Sequence, residues 1–169
     1  ASACTCYTGF TVDGIVGGNN MTTEHACMLA PQFVVTTTAK TTSFRFNIAA
    51  KGKFWVDCGD GSAVKEIDRT KIDFDTDYIS DANTAYTCKY SKPGMYEIKF
   101  AGRASGYDKT HRQEPTYSAI RFSEYYENDT YNEGLDTIYS ISGSLGAIFP
   151  TLKDGTNPTF YGTFAGQTA

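Results

Sequence analysis

Five cysteines and a run of alternating aspartates are the residues of this 169-residue chain best suited by type and spacing to do chemistry. Cys4, Cys6, Cys27, Cys58 and Cys88 are able to pair as disulfides or to hold a metal. Zinc sites gather cysteines in paired spacings such as Cys-x-x-Cys. The one close pair here is Cys4-x-Cys6, with His25 and Cys27 far along the chain. Disulfides are therefore favoured, as in secreted domains, and the odd count leaves one thiol over. Asp73, Asp75 and Asp77, followed by Asp81, set carboxylates at alternate positions of one expected loop. That pattern offers oxygens to a hard cation, and calcium is the candidate ion. An EF-hand loop requires a glycine and a glutamate where Tyr78 and Thr84 stand, so this loop is of another kind.

Aromatic side chains offer a second kind of binding. Trp55 falls on the opposite face of its strand from Phe54 and Val56, so it is expected outside the core. With Tyr125 and Tyr126 it forms a candidate set for stacking a glycan, unless another strand or the N-terminal arm covers it. Catalysis has little to stand on. His25 and His111 are the only histidines, and neither lies in a nucleophile motif. Ser-Gly-Ser-Leu-Gly at 142–146 is not the Gly-x-Ser-x-Gly elbow. Glu124 and Glu127 are an acidic pair of the sort that almost any acidic chain offers. No glycine-rich phosphate loop follows a strand and opens a helix. An enzyme is not expected.

The scaffold that positions these residues reads as mainly β. Threonine is abundant, with 12 Tyr and 11 Phe but only four Leu. Such residues suit a pleated, half-buried surface, and scarce leucine removes the usual helix core. Fifteen basic against 19 acidic residues leave a net charge of -4, which argues against a nucleic-acid-binding face. No apolar run approaches the ~18 residues of a membrane-spanning helix. Residues 1–31 are rich in Gly, Thr and Cys without sustained periodicity, and read as a disulfide-tied N-terminal arm or cap. Ala1-Ser2-Ala3-Cys4 fits part of a retained signal-peptidase site, a lipoprotein-like junction at Cys4, or an arbitrary boundary. From Gln32 the strand signals become regular: 32–38, 43–49, 53–58, 63–67, 85–90 and 95–102. Phe44, Phe46 and Ile48 share one face, with Ser43, Arg45 and Asn47 on the other. Phe54, Val56 and Cys58 share a face, as do Tyr86, Cys88 and Tyr90, and Tyr96, Ile98 and Phe100. Gly59-Asp60-Gly61 joins two strands as a hairpin, and Ser-Lys-Pro-Gly at 91–94 reads as a turn. Strands at this spacing predict a β-sandwich.

Cys58 and Cys88 both lie on faces assigned to the core, which predicts that they pair. Closing that loop contributes roughly 3 to 4 kcal/mol in the chain-entropy model. Of the remaining cysteines, Cys6–Cys27 is the simplest pairing, although connectivity is not readable from spacing.

Phe-Trp-Val-Asp-Cys-Gly-Asp-Gly-Ser at 54–62 and Tyr-Thr-Cys-Lys-Tyr-Ser-Lys-Pro-Gly-Met-Tyr at 86–96 resemble the two signature segments of polycystic-kidney-disease (PKD) domains. Gly59, Asp60 and Gly61 match the family's turn, and Tyr90, Pro93, Gly94 and Tyr96 match its second motif. Cys58 stands where the family has an aromatic and Cys88 where it has histidine, as expected if a disulfide replaced one packing pair. The resemblance covers about residues 32–102. It implies an extracellular immunoglobulin-like sandwich used for adhesion, spacing or ligand binding. Residues 103–169 either complete that domain or, with the short-turn rhythm of 143–152 and 158–168, lead into a repeat array. The chain is thus expected to be a secreted or cell-surface structural or adhesive protein of a bacterial assembly, its signal peptide removed. Its expected partners are other protein subunits or surface proteins, engaged by strand addition. A carbohydrate-binding module using Trp55, Tyr125 and Tyr126 is the alternative.

Overall fold

The computed structural model describes residues 10–12, 27–29, 31–122 and 137–164. Two short strands come first, β1 (Phe10–Val12) and β2 (Cys27–Leu29), which pair with each other. Then follow β3 (Phe33–Thr37), β4 (Thr41–Asn47), β5 (Lys51–Asp57), β6 (Lys65–Asp68), β7 (Ala85–Gly94), β8 (Glu97–Gly106) and β9 (Ile138–Gly143). Among the described residues helix is confined to two single turns, α1 (Asp81–Thr84) and α2 (Leu145–Ile148), and a short 3-10 turn at Pro115–Tyr117. The fold is mainly β. No helix among the described residues is long and apolar enough to cross a membrane.

An antiparallel five-stranded sheet, in the order β6-β5-β8-β3-β9, faces a two-stranded antiparallel sheet of β4 and β7. The alternations expected from the sequence point inward. Phe33 and Val35 of β3, Phe54 and Val56 of β5, and Ile98 and Phe100 of β8 bury one face of the larger sheet. Phe44 and Phe46 of β4 and Cys88 and Tyr90 of β7 come down on it. Phe46 meets Phe100 edge to face, ring centroids 5.1 Å apart, an arrangement that places positive ring edge on negative ring face.

Cys58, just past β5, is bonded to Cys88 of β7, with Cα atoms 5.6 Å apart. The bond ties one sheet to the other inside the core, and the Tyr90 hydroxyl closes it off by donating to the Cys58 carbonyl at 3.0 Å. Tyr90 in turn stacks on Tyr96, ring centroids 3.6 Å apart.

The turn after Cys58 is built by its own carboxylates. Asp57 accepts from the Gly59 N–H at 2.8 Å, and Asp60 accepts from the Ser62 N–H at 3.0 Å. Hydrogen bonds from Ser62, side chain and then backbone, hold the Asp60 carboxyl below its ordinary range. Gly59 and Gly61 both have left-handed backbones, φ 75° and 79°. Their surroundings differ. A Cβ on Gly59 would overlap the Glu97 carbonyl, whereas one on Gly61 meets nothing within 4 Å. Gly61→Ala is therefore expected to cost about 1 kcal/mol, the left-handed penalty alone, and Gly59→Ala at least about twice that. Denaturation midpoints for the two variants check this; equal losses would remove the close approach of the turn to β8.

Two expectations need correcting. Ser-Lys-Pro-Gly is not a turn: β7 stays extended through Pro93 and Gly94, and Gly94 is the register partner of Thr41. The chain uses the following residues to cross from the two-stranded to the five-stranded sheet. Asn47, assigned to the outward face, is buried. Its backbone exchanges hydrogen bonds with Arg121 at 2.8 and 2.9 Å, and its side-chain amide donates to Thr84 Oγ1 at 3.0 Å. A segment from far downstream covers that end of β4, which no alternation within β4 announces.

That downstream stretch adds to the same core. β9 pairs with β3, and Ile120, Phe122, Ile148 and Phe149 join the buried cluster. Phe122 lies between the sheets, with ring centroids 6.0, 5.9 and 5.8 Å from those of Phe33, Phe44 and Phe100.

Candidate functional site

The aspartate loop folds on itself. Asp73 Oδ1 accepts from the Asp75 N–H at 3.1 Å, and Asp77 Oδ2 accepts from the Asp73 N–H at 2.8 Å. The Asp73 carbonyl receives the Asp77 N–H at 2.7 Å, closing a single helical turn. Alternate positions converge on an ion only in an extended or looped backbone, and here the carboxylates of Asp73 and Asp77 cap their own turn. Among the described residues no three His, Cys, Asp or Glu side chains stand close enough to hold a metal ion. The structure therefore does not assemble Asp73, Asp75 and Asp77 as a calcium site.

Beside this turn lies an open cleft of about 340 Å³. Asp73, Asp75, Asp108 and Asp154 line it, against Lys51 and Lys109. One of its lysines is paired within it. Asp154 takes the Lys109 ammonium at 3.0 Å and the Thr156 N–H at 3.0 Å. The bonds from Thr156, then from Lys109, hold its carboxyl down at about 2. Asp108, buried, accepts on one oxygen from the Thr110 N–H at 2.9 Å and the His111 N–H at 2.5 Å. His111 Nδ1 stands 3.2 Å from the same oxygen, and Tyr117 stacks on the imidazole at 4.4 Å. Asp108 and His111 thus build the 108–111 turn, of which Asp108, Lys109 and Thr110 line the cleft.

Trp55 is on the opposite face from Phe54 and Val56, as expected, yet it is only 7% exposed. β5 is an interior strand, so Trp55 has register partners on both sides, Glu66 of β6 and Ala101 of β8. Ala101 and Val64 pack against it, and the Lys53 ammonium sits 5.8 Å from the ring centroid, within cation–π range. β2 lies within 8 Å, Cα to Cα, of both β5 and β8. The outer face of the sheet carries a second small apolar cluster there, and Trp55 is not a free stacking platform. Tyr125 and Tyr126, its expected companions, fall outside the described residues, as do Cys4, Cys6, His25, Glu124 and Glu127. The Cys6–Cys27 pairing lies outside them for the same reason.

Among the described tyrosines, Tyr90 and Tyr107 are shifted furthest by folding. Burial pushes both well above the ordinary tyrosine value, and the Tyr107 hydroxyl donates to the Pro150 carbonyl at 2.8 Å. A raised phenol keeps its full contribution to stability below its unfolded value of about 10 and loses it as pH climbs toward the folded value. Tyrosinate absorbance is expected to rise in a steep final step, coincident with loss of tertiary structure, as these two ionise. A single smooth titration of every tyrosine near pH 10, with the fold intact, would contradict this.

Among the described residues, β9 forms one end of the larger sheet and pairs only with β3. Tyr139 is 70% and Ile141 51% exposed. Ile141 is the register partner of Val35, so it lies on the core-side face, and the smaller sheet leaves it half uncovered. β6, at the other end of the sheet, reads Lys-Glu-Ile-Asp, and charge along an edge discourages pairing. β9 reads Ile-Tyr-Ser-Ile-Ser-Gly and has no charge. The missing charge from Ile138 to Gly143 is the sign in the sequence that marks this edge as unprotected. Comparisons of the chain with protein-family models, with curated proteins and with solved structures found no match.

Proposed function

We propose that this chain is a structural or adhesive module of an extracellular or cell-surface assembly, working through protein–protein contacts. The observation that carries the reading is the uncharged, exposed edge of β9 on a sandwich whose two sheets are joined by a buried disulfide. A sheet with an uncharged edge strand suits strand addition, in which main-chain hydrogen bonds supply affinity and alternate side chains supply selectivity. The Cys58–Cys88 bond fits an oxidising compartment. The resemblance at 54–62 and 86–96 supports the finer reading of an immunoglobulin-like, PKD-like sandwich, and its matching residues Tyr90 and Tyr96 are the stacked pair beside the disulfide.

Labelling intact source cells with a membrane-impermeant amine reagent tests the location. Modification of exposed lysines before lysis, with Cys58 and Cys88 oxidised, is the expected result. A chain labelled only after lysis, with both thiols free, would sink the proposal.

A further inference from the structure

We infer that the β9 edge pairs with a second copy of itself, antiparallel across a twofold axis at Ile141, joining two five-stranded sheets into one. The direction of the backbone groups comes first. Thr37 donates its N–H to the Tyr96 carbonyl of the segment leading into β8, at 2.9 Å. Alternation then turns the backbone groups of Val35 toward β8 and those of Val34 and Thr36 toward β9. The β9 partners of Val34 and Thr36, Ser142 and Ser140, turn inward to meet them. Ser144 keeps the same phase, donating to the Gln32 carbonyl at 2.8 Å. The N–H and C=O of Ile141 therefore face away from β3, toward the side where no described strand pairs.

An antiparallel pair centred on Ile141 lets it exchange both main-chain bonds with the partner's Ile141. In that register Ser140 lies opposite the partner's Ser142, and Tyr139, the residue left without a β3 partner where the register shifts, comes beside the partner's Gly143. The serine pair sets like polarity against like, and an aromatic beside a strand glycine shields backbone that the glycine leaves bare. Within one copy the same device is already in use, with Phe33 as the register partner of Gly143. The half-exposed Ile141 gains an apolar neighbour on the core-side face, where the smaller sheet leaves it uncovered. The absence of charge from Ile138 to Gly143 selects the occupant. A strand carrying charge would find no counter-charge on this edge, whereas a second copy meets no repulsion along it. Six residues a side bury less than the roughly 1,600 Å² of a standard interface, so the dimer is weak and concentration-dependent.

The inference rests on reading the β9 edge as a contact surface, and sedimentation of the full chain from about 1 µM to 1 mM tests it. The wild type is expected to pass from monomer to dimer across that range. Ile141→Lys and Ile141→Glu each set like charges directly opposite on the axis and are expected to weaken association at least tenfold. An equimolar mixture of the two variants is expected to associate again, because each then faces the opposite charge. In the wild type, the Ile141 amide should also exchange more slowly with solvent as concentration rises. A monomer throughout, variants that associate like the wild type, a mixture no better than its parts, or exchange independent of concentration would each overturn the pairing. A monomer that is nevertheless labelled on intact cells leaves the proposed location standing, so the two failures are separable.

Discussion

Replacing both Cys58 and Cys88 with alanine is expected to lower the free energy of unfolding by about 3 to 4 kcal/mol. The bond spans a sequence separation of 30, and a closed loop of that size removes about this much entropy from the unfolded chain. A domain stable by some 5 to 15 kcal/mol loses a large share of its margin. Both residues must be changed together, since one alone leaves a buried free thiol in place of a bond. Cys58 is 2% and Cys88 0% exposed, so a reductant reaches the bond only when the sheets part. Added reductant should therefore leave the folded protein oxidised on a timescale set by opening, while the same reductant in denaturant acts at once. Paired denaturation curves and thiol trapping measure the two effects. A loss under about 1 kcal/mol would mean that the sheets hold each other without the bond.

The inward residues of β3, β4, β5, β7 and β8 were legible because a strand with one buried face shows that face in its own alternation. Phe54, Val56 and Cys58 illustrate it, and so do Cys88 and Tyr90, which is why the disulfide could be anticipated. What escaped the reading depends on a second layer. Trp55 alternates correctly, but alternation says which face a residue takes and not what lies beyond that face; β5 turned out to be interior, with Ala101 and Val64 over its outer side. Asn47 is buried by Arg121, some seventy positions away, and no local pattern carries that contact. Asp73 and Asp77 were read by spacing, which does not show that their carboxylates accept backbone N–H groups of their own tight turn. The free edge at β9 is legible in part, since its composition marks it as unprotected, but that it ends the sheet is a property of strand order.

The division of the chain at residue 102 meets its test at Phe122. Phe122→Ala is expected to cost about 3 to 5 kcal/mol, the range for removing a fully buried phenylalanine, and to lower the melting temperature by roughly 6 to 20 °C. The size of the effect follows from position. Its ring touches Phe33 of the larger sheet and Phe44 of the smaller, and Phe164 stacks on it at 5.4 Å from the chain's last described turn. Its N–H donates to the Thr163 carbonyl at 2.9 Å, and Ala119 donates to Thr159 at 2.8 Å, so two downstream segments are fixed by the same few residues. Deleting the ring leaves a void bounded by both sheets, which cannot close without pulling them together against the disulfide. Phe122→Leu, which refills much of the volume, should recover more than half of the loss. Tyr161→Ala, at an exposed ring in the same downstream stretch, should change stability by no more than about 0.5 kcal/mol. If instead Phe122→Ala proves as mild as Tyr161→Ala, the sandwich of 32–102 closes its own core, and the stretch after it is an attachment. A loss of the expected size makes the two stretches one folding unit, with β9 and its open edge held rigidly by the core that Phe122 completes.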